Sequence, residues 1–257
     1  MKELIRGAIA RIPGLRFWIA RKIFLGPGHN THRFWGVFKN KAAAQAHVPA
    51  KLSGGFDEPD LDKFDESVQE RDLVLIRILS GFIAETRTLF DFGGNVGRSF
   101  YQFRKAMAYP PALRWTVCDV PFVTKLGRKI AAERSETQLF FTDDRRDANG
   151  TDVYMTCGAL QYLEESFADI LRELSQKPPR LLVNRVPLYE GETFFTLQHM
   201  GSSVVPYKIA NRAQFIADVE ALGYRLVEKW ENDRFCDIIL RPDKFVKHYY
   251  GFYFERA

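Results

Sequence analysis

Cysteine is scarce in this chain: three residues in 257, Cys118, Cys157 and Cys236, far apart and each set in an apolar stretch. An odd, scattered set excludes a disulfide framework and reads as reduced, partly buried residues of a cytosolic protein. Metal-ligand sets are missing too. His29 and His32 form an H-x-x-H with no cysteine or carboxylate partner nearby, so no metal is expected. No apolar run approaches the ~18–20 residues that span a bilayer. There is no internal repeat or low-complexity tract, and no Ser/His/Asp set at a hydrolase spacing.

Acidic residues are nearly absent from the first 24 positions. Lys2, Arg6, Arg11, Arg16, Arg21 and Lys22 stand there against Glu3 alone, which accounts for the whole net charge of +5. The excess is therefore a basic arm on a neutral body, and nucleic acid is not expected as a partner. What is abundant is the material of a core, with 46% hydrophobic and 27% charged residues, the balance of a globular protein.

The chain divides into an arm with an aromatic segment over 1–64 and a domain over 65–257. Two short N-terminal helices are expected, broken at Pro13-Gly14. An irregular aromatic stretch, Phe34 to Phe38, and the turn before Phe56 form a lid or pack locally. A helix is predicted over about 65–85, with Leu75, Ile78, Leu79 and Phe82 at helical spacing. Strands then alternate with helices: strands over 88–92, 113–120, 139–142, 152–157 and 181–186. A helix follows from Asn211, a good N-cap, to Gly223, a good C′ residue. Strands over 224–230 and 249–255 close the chain with no helix between them. The pattern predicts an α/β fold, a Rossmann-like doubly wound sheet with an antiparallel pair at its end and a helical N-terminal extension.

Chemistry-bearing residues gather at the strand ends. Asp91-Phe92-Gly93-Gly94-Asn95-Val96-Gly97 lies where a strand turns into a helix, and its D-x-G-x-N-x-G pattern differs from the dinucleotide G-x-G-x-x-G. The glycines allow a tight turn and close approach to a ligand, and Asn95 tolerates left-handed geometry. A carboxylate at Asp91 suits a cationic ligand better than a pyrophosphate. Asp119, followed by Val120, ends the second strand where a doubly wound sheet places a carboxylate on ribose hydroxyls, or else it caps the helix begun at Pro121. Asp143 and Asp144 end the third strand, either reaching an adenine amino group or forming a solvated turn. Cys157, Gly158 and Tyr162 follow the fourth strand, over a reacting centre.

The region 88–257 resembles class I S-adenosylmethionine-dependent methyltransferases. The stretches 90–97, 115–121, 181–188 and 249–254 are similar to a methyltransferase family associated with bacterial surface-polysaccharide genes. The resemblance implies a seven-stranded sheet with the last strand antiparallel and S-adenosyl-L-methionine as cofactor. It also implies that Gly93 to Gly97 line the methionine part and that Asp119 meets the ribose. Asn95 departs from the glycine many of these enzymes carry there, though related subfamilies carry asparagine.

The segment from Pro187 to Ala210 is too long for an ordinary connection and reads as a functional or disordered loop. Its Tyr189, Glu190, Glu192, Gln198, His199 and Tyr207 suit a saccharide or other polyhydroxylated acceptor. An alcohol acceptor needs a base; His199 is the candidate, with Glu190 and Tyr162 behind it. One competing reading is a nicotinamide-dependent oxidoreductase or epimerase, which lacks its glycine signature here. Its Tyr-x-x-x-Lys pair is matched only by Tyr101 and Lys105, in the helix behind the cofactor turn. The other is a non-catalytic cofactor-binding scaffold. The basic amphipathic arm, over 1–25, either lies on an anionic membrane surface or packs on protein.

Overall fold

The structure, a computed structural model, describes residues 13–26, 33–55 and 65–257. The first helix expected in the arm lies outside the described residues. Helix α1 (Pro13–Phe24) opens on Pro13, whose fixed φ suits a first turn, so the proline begins a helix there.

Five strands run parallel: β2 (Thr88–Phe92), β3 (Arg114–Cys118), β4 (Leu139–Thr142), β5 (Val153–Cys157) and the first half of β6 (Arg180–Tyr189). Strand β10 (Tyr249–Arg256) pairs antiparallel with β6 on one side and with β9 (Tyr224–Asn232) on the other. The order β4-β3-β2-β5-β6-β10-β9 is the expected seven-stranded sheet with its last strand reversed.

Period-2 alternation explains why both faces of this sheet are covered. Leu89, Met155, Leu182 and Tyr253 point into one buried cluster. Their neighbours Phe90, Tyr154, Leu181 and Phe252 point into the other. The first cluster is closed by α3 (Leu73–Ser80), α4 (Arg98–Phe103) and α5 (Pro121–Glu133), the second by α6 (Phe167–Arg172) and α7 (Arg212–Glu220). Ser166 caps α6 in a reciprocal box with Asp169, and Asn211 caps α7 by accepting the Gln214 N–H.

Three expectations are corrected. The aromatic stretch is a strand, β1 (Arg33–Phe38), and the long connection after the fifth strand is a hairpin, β7 (Phe194–His199) and β8 (Val204–Asn211). Strands β1, β7 and β8 form an added antiparallel sheet, joined to the main one where Leu188 and Tyr189 run parallel to Ala210 and Asn211. Helix α1 packs on it through Ala20 and Phe24 against Trp35, Phe195 and Leu197, and α2 (Lys41–Gln45) adds Ala44 to the same cluster. The helix predicted over 65–85 is shorter. Turns at Glu70–Asp72 and Ile83–Glu85 flank α3, and the Asp65 carboxylate holds the stretch before it by accepting from Ser67 and Gln69.

Candidate cofactor and acceptor cleft

The carboxyl ends of β2 to β6 open on a cleft of about 1170 Å³. Gly93, Gly94, Asn95, Asp119, Val120, Asp143, Asp144, Cys157, Gly158 and Tyr162 all line it. Asp91 and Gly97 stand behind its wall, and His199 and Glu190 lie elsewhere.

The glycine turn is shaped from below. Gly93 has φ +70°, and a Cβ there would come 2.2 Å from the Ala159 Cβ. A Cβ on Gly94 would lie 2.5 Å from the Asp91 carboxylate. The turn thus lies directly on the end of β5 and on Asp91, so protein contacts require these glycines before any ligand does. Asn95 takes φ +57° and accepts the Val96 N–H through its own side chain at 2.8 Å, which relieves a conformation that costs most residues.

Asp91 is fully buried and accepts from Trp115 Nε1 at 3.2 Å; its Oδ1 has no hydrogen-bond partner among the described residues. Burial pushes its pKa up to about 7, against the lowering influence of that indole hydrogen bond. A carboxyl with one orphaned oxygen under a glycine cradle fits a cationic group arriving at the turn. Asp119 joins the two loops of the cleft: Oδ2 accepts the Asn95 N–H at 2.9 Å and Oδ1 accepts the Val120 N–H at 2.8 Å. Burial raises its pKa, while these two N–H groups hold it down.

At the far end, Asp143 accepts from the Thr124 hydroxyl and lies 3.8 Å from Arg128. Asp144 caps the turn after β4 and pairs with Arg146 at 2.7 Å, and hydrogen bonds from Arg146 lower its pKa to about 2. The thiols of Cys118 and Cys157 are pushed up by burial, the former to about 12, which removes both as nucleophiles.

The placement of His199 and Glu190 does not match a catalytic reading. His199 ends β7, with its ring edge-on to Phe24 at 5.5 Å and Nδ1 accepting the Gly201 N–H at 3.1 Å. Burial, and then Arg33, lower its pKa. Glu190 sits past the end of β6 with its carboxylate paired to Arg212. Tyr162 alone of the three reaches the cleft, its hydroxyl donating to the buried Gln198 at 2.9 Å.

Sequence reasoning missed Arg98, Arg185 and Met200 on the cleft wall. Arg185 closes the parallel part of β6, a strand-end position where ligands are expected. It holds φ +61°, a conformation costing a non-glycine residue about 1–3 kcal/mol. Met200 begins the β7–β8 turn, whose Gly201-Ser202-Ser203 is a hairpin signal. Among the described residues no cluster of three His, Cys, Asp or Glu side chains is placed to hold a metal ion.

No protein-family model matches the chain, and neither does any curated protein. Solved structures do. A Listeria monocytogenes protein assigned as an S-adenosylmethionine-dependent methyltransferase shares 11% identity over 72% of this chain and 98% of that one, with a TM-score of 0.52. The N-terminal domain of EvdMO1, crystallised in the presence of S-adenosylhomocysteine and D-fucose, shares 10% identity over 81% and 92%, with a TM-score of 0.52. Against the mitomycin 7-O-methyltransferase MmcR, 72% of this chain aligns at 18% identity and a TM-score of 0.47 with 54% of that chain, so it spans about half that protein's length.

Proposed function

We propose that this protein, whose sheet is that of the Rossmann-like class I methyltransferases, is an S-adenosyl-L-methionine-dependent methyltransferase. Its acceptor is read as a saccharide or other polyhydroxylated molecule of surface-glycan synthesis. The observation that carries this reading is the Asp119 carboxylate on the cleft wall, locked to the glycine turn through Asn95. A carboxylate fixed there meets ribose hydroxyls as acceptor. Asp91 and the turn from Gly93 to Gly97 hold the methionine end, and Asp143 and Asp144 border the adenine end. The reversed β10 between β6 and β9 favours this reading over a nicotinamide oxidoreductase, as does the missing dinucleotide glycine pattern. A polyhydroxylated acceptor agrees with the D-fucose used with the EvdMO1 domain.

S-adenosylmethionine, when bound, supplies a methyl carbon on a sulfonium. The chain's part is alignment, which can supply much of the rate by proximity. Gly158, Ala159, Leu163 and Met200 line the same cleft. Tyr162, whose hydroxyl hydrogen goes to Gln198, lines the cleft and can orient an alcohol by accepting its O–H. A screen with radiolabelled methyl donor against nucleotide sugars, lipid-linked glycans and small metabolites tests the activity. Label should enter a hydroxylated acceptor; label entering none of these classes, with cofactor bound, would favour the scaffold.

The same reading includes a peripheral site on the inner membrane surface. Ala20 and Phe24 of α1 pack inward, while Leu15, Trp18 and Ile23 remain exposed beside Lys22. An outward apolar face with basic neighbours and no acidic residue suits an anionic interface and a lipid-linked acceptor. No helix among the described residues is long and apolar enough to cross a membrane.

A further inference from the structure

We propose that the acceptor carries an oxyanion, a carboxylate or a phosphate, and that the Arg185 guanidinium is the group that recognises it. This rests on the methyltransferase reading of the cleft and adds the charge of its substrate.

Arg185 is built into its place. Asn184, fully buried at the end of the parallel part of β6, accepts through Oδ1 from the Arg185 N–H at 3.0 Å, from Trp230 Nε1 at 3.1 Å and from Asn232 Nδ2 at 2.9 Å. Its amide donates to Asp72 at 3.0 Å and so ties the start of α3 to the same point. The left-handed turn at Arg185 then carries its side chain beside Gly158, where Nε would lie 3.7 Å from a Cβ on that glycine. The guanidinium therefore stands at the junction of β5 and β6, on the cleft wall.

Its donors are mostly unspent. A guanidinium has five N–H groups. Among the described residues, the Arg185 guanidinium donates from Nη2 to the Cys157 carbonyl at 3.0 Å and also bonds the Cys157 side chain, while its buried Nε has no hydrogen-bond partner. The carboxylate of Asp72 is at ion-pair range, 3.9 Å from Nε, but it is shared: Nε of Arg71 lies 4.0 Å from its other oxygen. Two guanidiniums thus share the Asp72 carboxylate at the outer limit of pairing. A planar fork with several free donors matches the paired oxygens of a carboxylate or phosphate.

The position separates acceptor from cofactor. The glycine turn follows β2, and β6 lies beyond β5 in the sheet, one strand farther from that turn. At the opposite end, the arginines already have acidic partners: Arg145 with Glu165 and Glu173, and Arg146 with Asp144. Arg185 lines the same cleft beside Gly158, with Asp72 at 3.9 Å as its ion-pair partner.

The test titrates the full chain, with and without saturating S-adenosylhomocysteine, with D-glucuronate, D-glucose 1-phosphate and neutral D-glucose. At least one anionic probe should bind ten times or more tighter than glucose, and the two anions distinguish a carboxylate from a phosphate acceptor. Arg185→Gly and Arg185→Asn, both compatible with the left-handed backbone, should abolish that preference, and Arg185→Lys should restore part of it. S-adenosylhomocysteine affinity should change less than threefold in all three variants. Equal binding of glucose and both anions, or an anion preference that survives Arg185→Gly, would overturn the proposal. So would a tenfold loss of S-adenosylhomocysteine affinity in the variants, which would assign Arg185 to the cofactor. Failure of the wild-type protein to bind S-adenosylhomocysteine is a different result: it removes the methyltransferase reading, while the titration without it still reads the anion site.

Discussion

Asp91 makes the buried charge of this site measurable. Its pKa in the folded chain, about 7, lies above the ordinary value of 3.8. Between those pH values the folded state keeps a proton that the unfolded chain has lost, so Asp91 favours folding less and less as pH rises through that window. Each tenfold difference in proton affinity between the two states is worth about 1.4 kcal/mol, so the loss reaches a few kcal/mol by about pH 8. Asp91→Asn, which can still accept from Trp115, should leave the melting temperature of the ligand-free protein near wild type at pH 4 and raise it at pH 8. Parallel pH profiles for the two proteins would show that Asp91 is not charged at a cost. The places of Asp119 and Gly93 on the cleft wall were legible in the sequence because a strand-to-helix turn is a local pattern. Arg185 and Met200 were not, since their relevance depends on which strand ends lie side by side. His199 misleads for the same reason: its chemistry suits a base, but β7 carries it to the packing around Phe24.

At the scale of elements, all seven strands of the main sheet were legible because alternation with helices and turn residues marks them. The added sheet hides its signals. In β7 five of six residues are buried, from Phe194 to Gln198, so no alternation of apolar and polar side chains appears. Pro206 argues against a strand over 204–211, yet it pairs only with β7 at that point and so occupies an edge where a missing N–H is tolerated. Gly36, at φ +83° beside the register shift of β1, breaks up that strand's pattern too. Trp35 joins these elements: its ring lies 4.7 Å from Phe17 and 5.7 Å from Phe24, and Nε1 donates to the Phe17 carbonyl at 3.3 Å. Trp35→Ala should cost about 3–5 kcal/mol in denaturant unfolding. A loss below about 1 kcal/mol would mean that α1 does not pack there.

For the whole molecule, the added sheet holds α1 against the protein while the main sheet builds the cleft. The proposed membrane attachment through the outer face of α1 should be reversible, because each basic residue near an anionic surface adds only about 1 kcal/mol. Replacing Leu15, Trp18 and Ile23 together by serine leaves the inward side chains intact. It should reduce co-sedimentation with anionic vesicles several-fold, and salt should do the same to wild type. Equal pelleting of the two proteins would reject the attachment. The central claim concerns the cleft itself, and calorimetric titration with S-adenosylhomocysteine, with NAD as the competing ligand, tests it most directly. Wild type should bind S-adenosylhomocysteine and not the dinucleotide. Asp119→Ala should weaken that binding at least tenfold, the ~1.5–3 kcal/mol of a hydrogen bond to a charged group. Binding of NAD instead, or S-adenosylhomocysteine affinity unchanged by Asp119→Ala, would contradict the account.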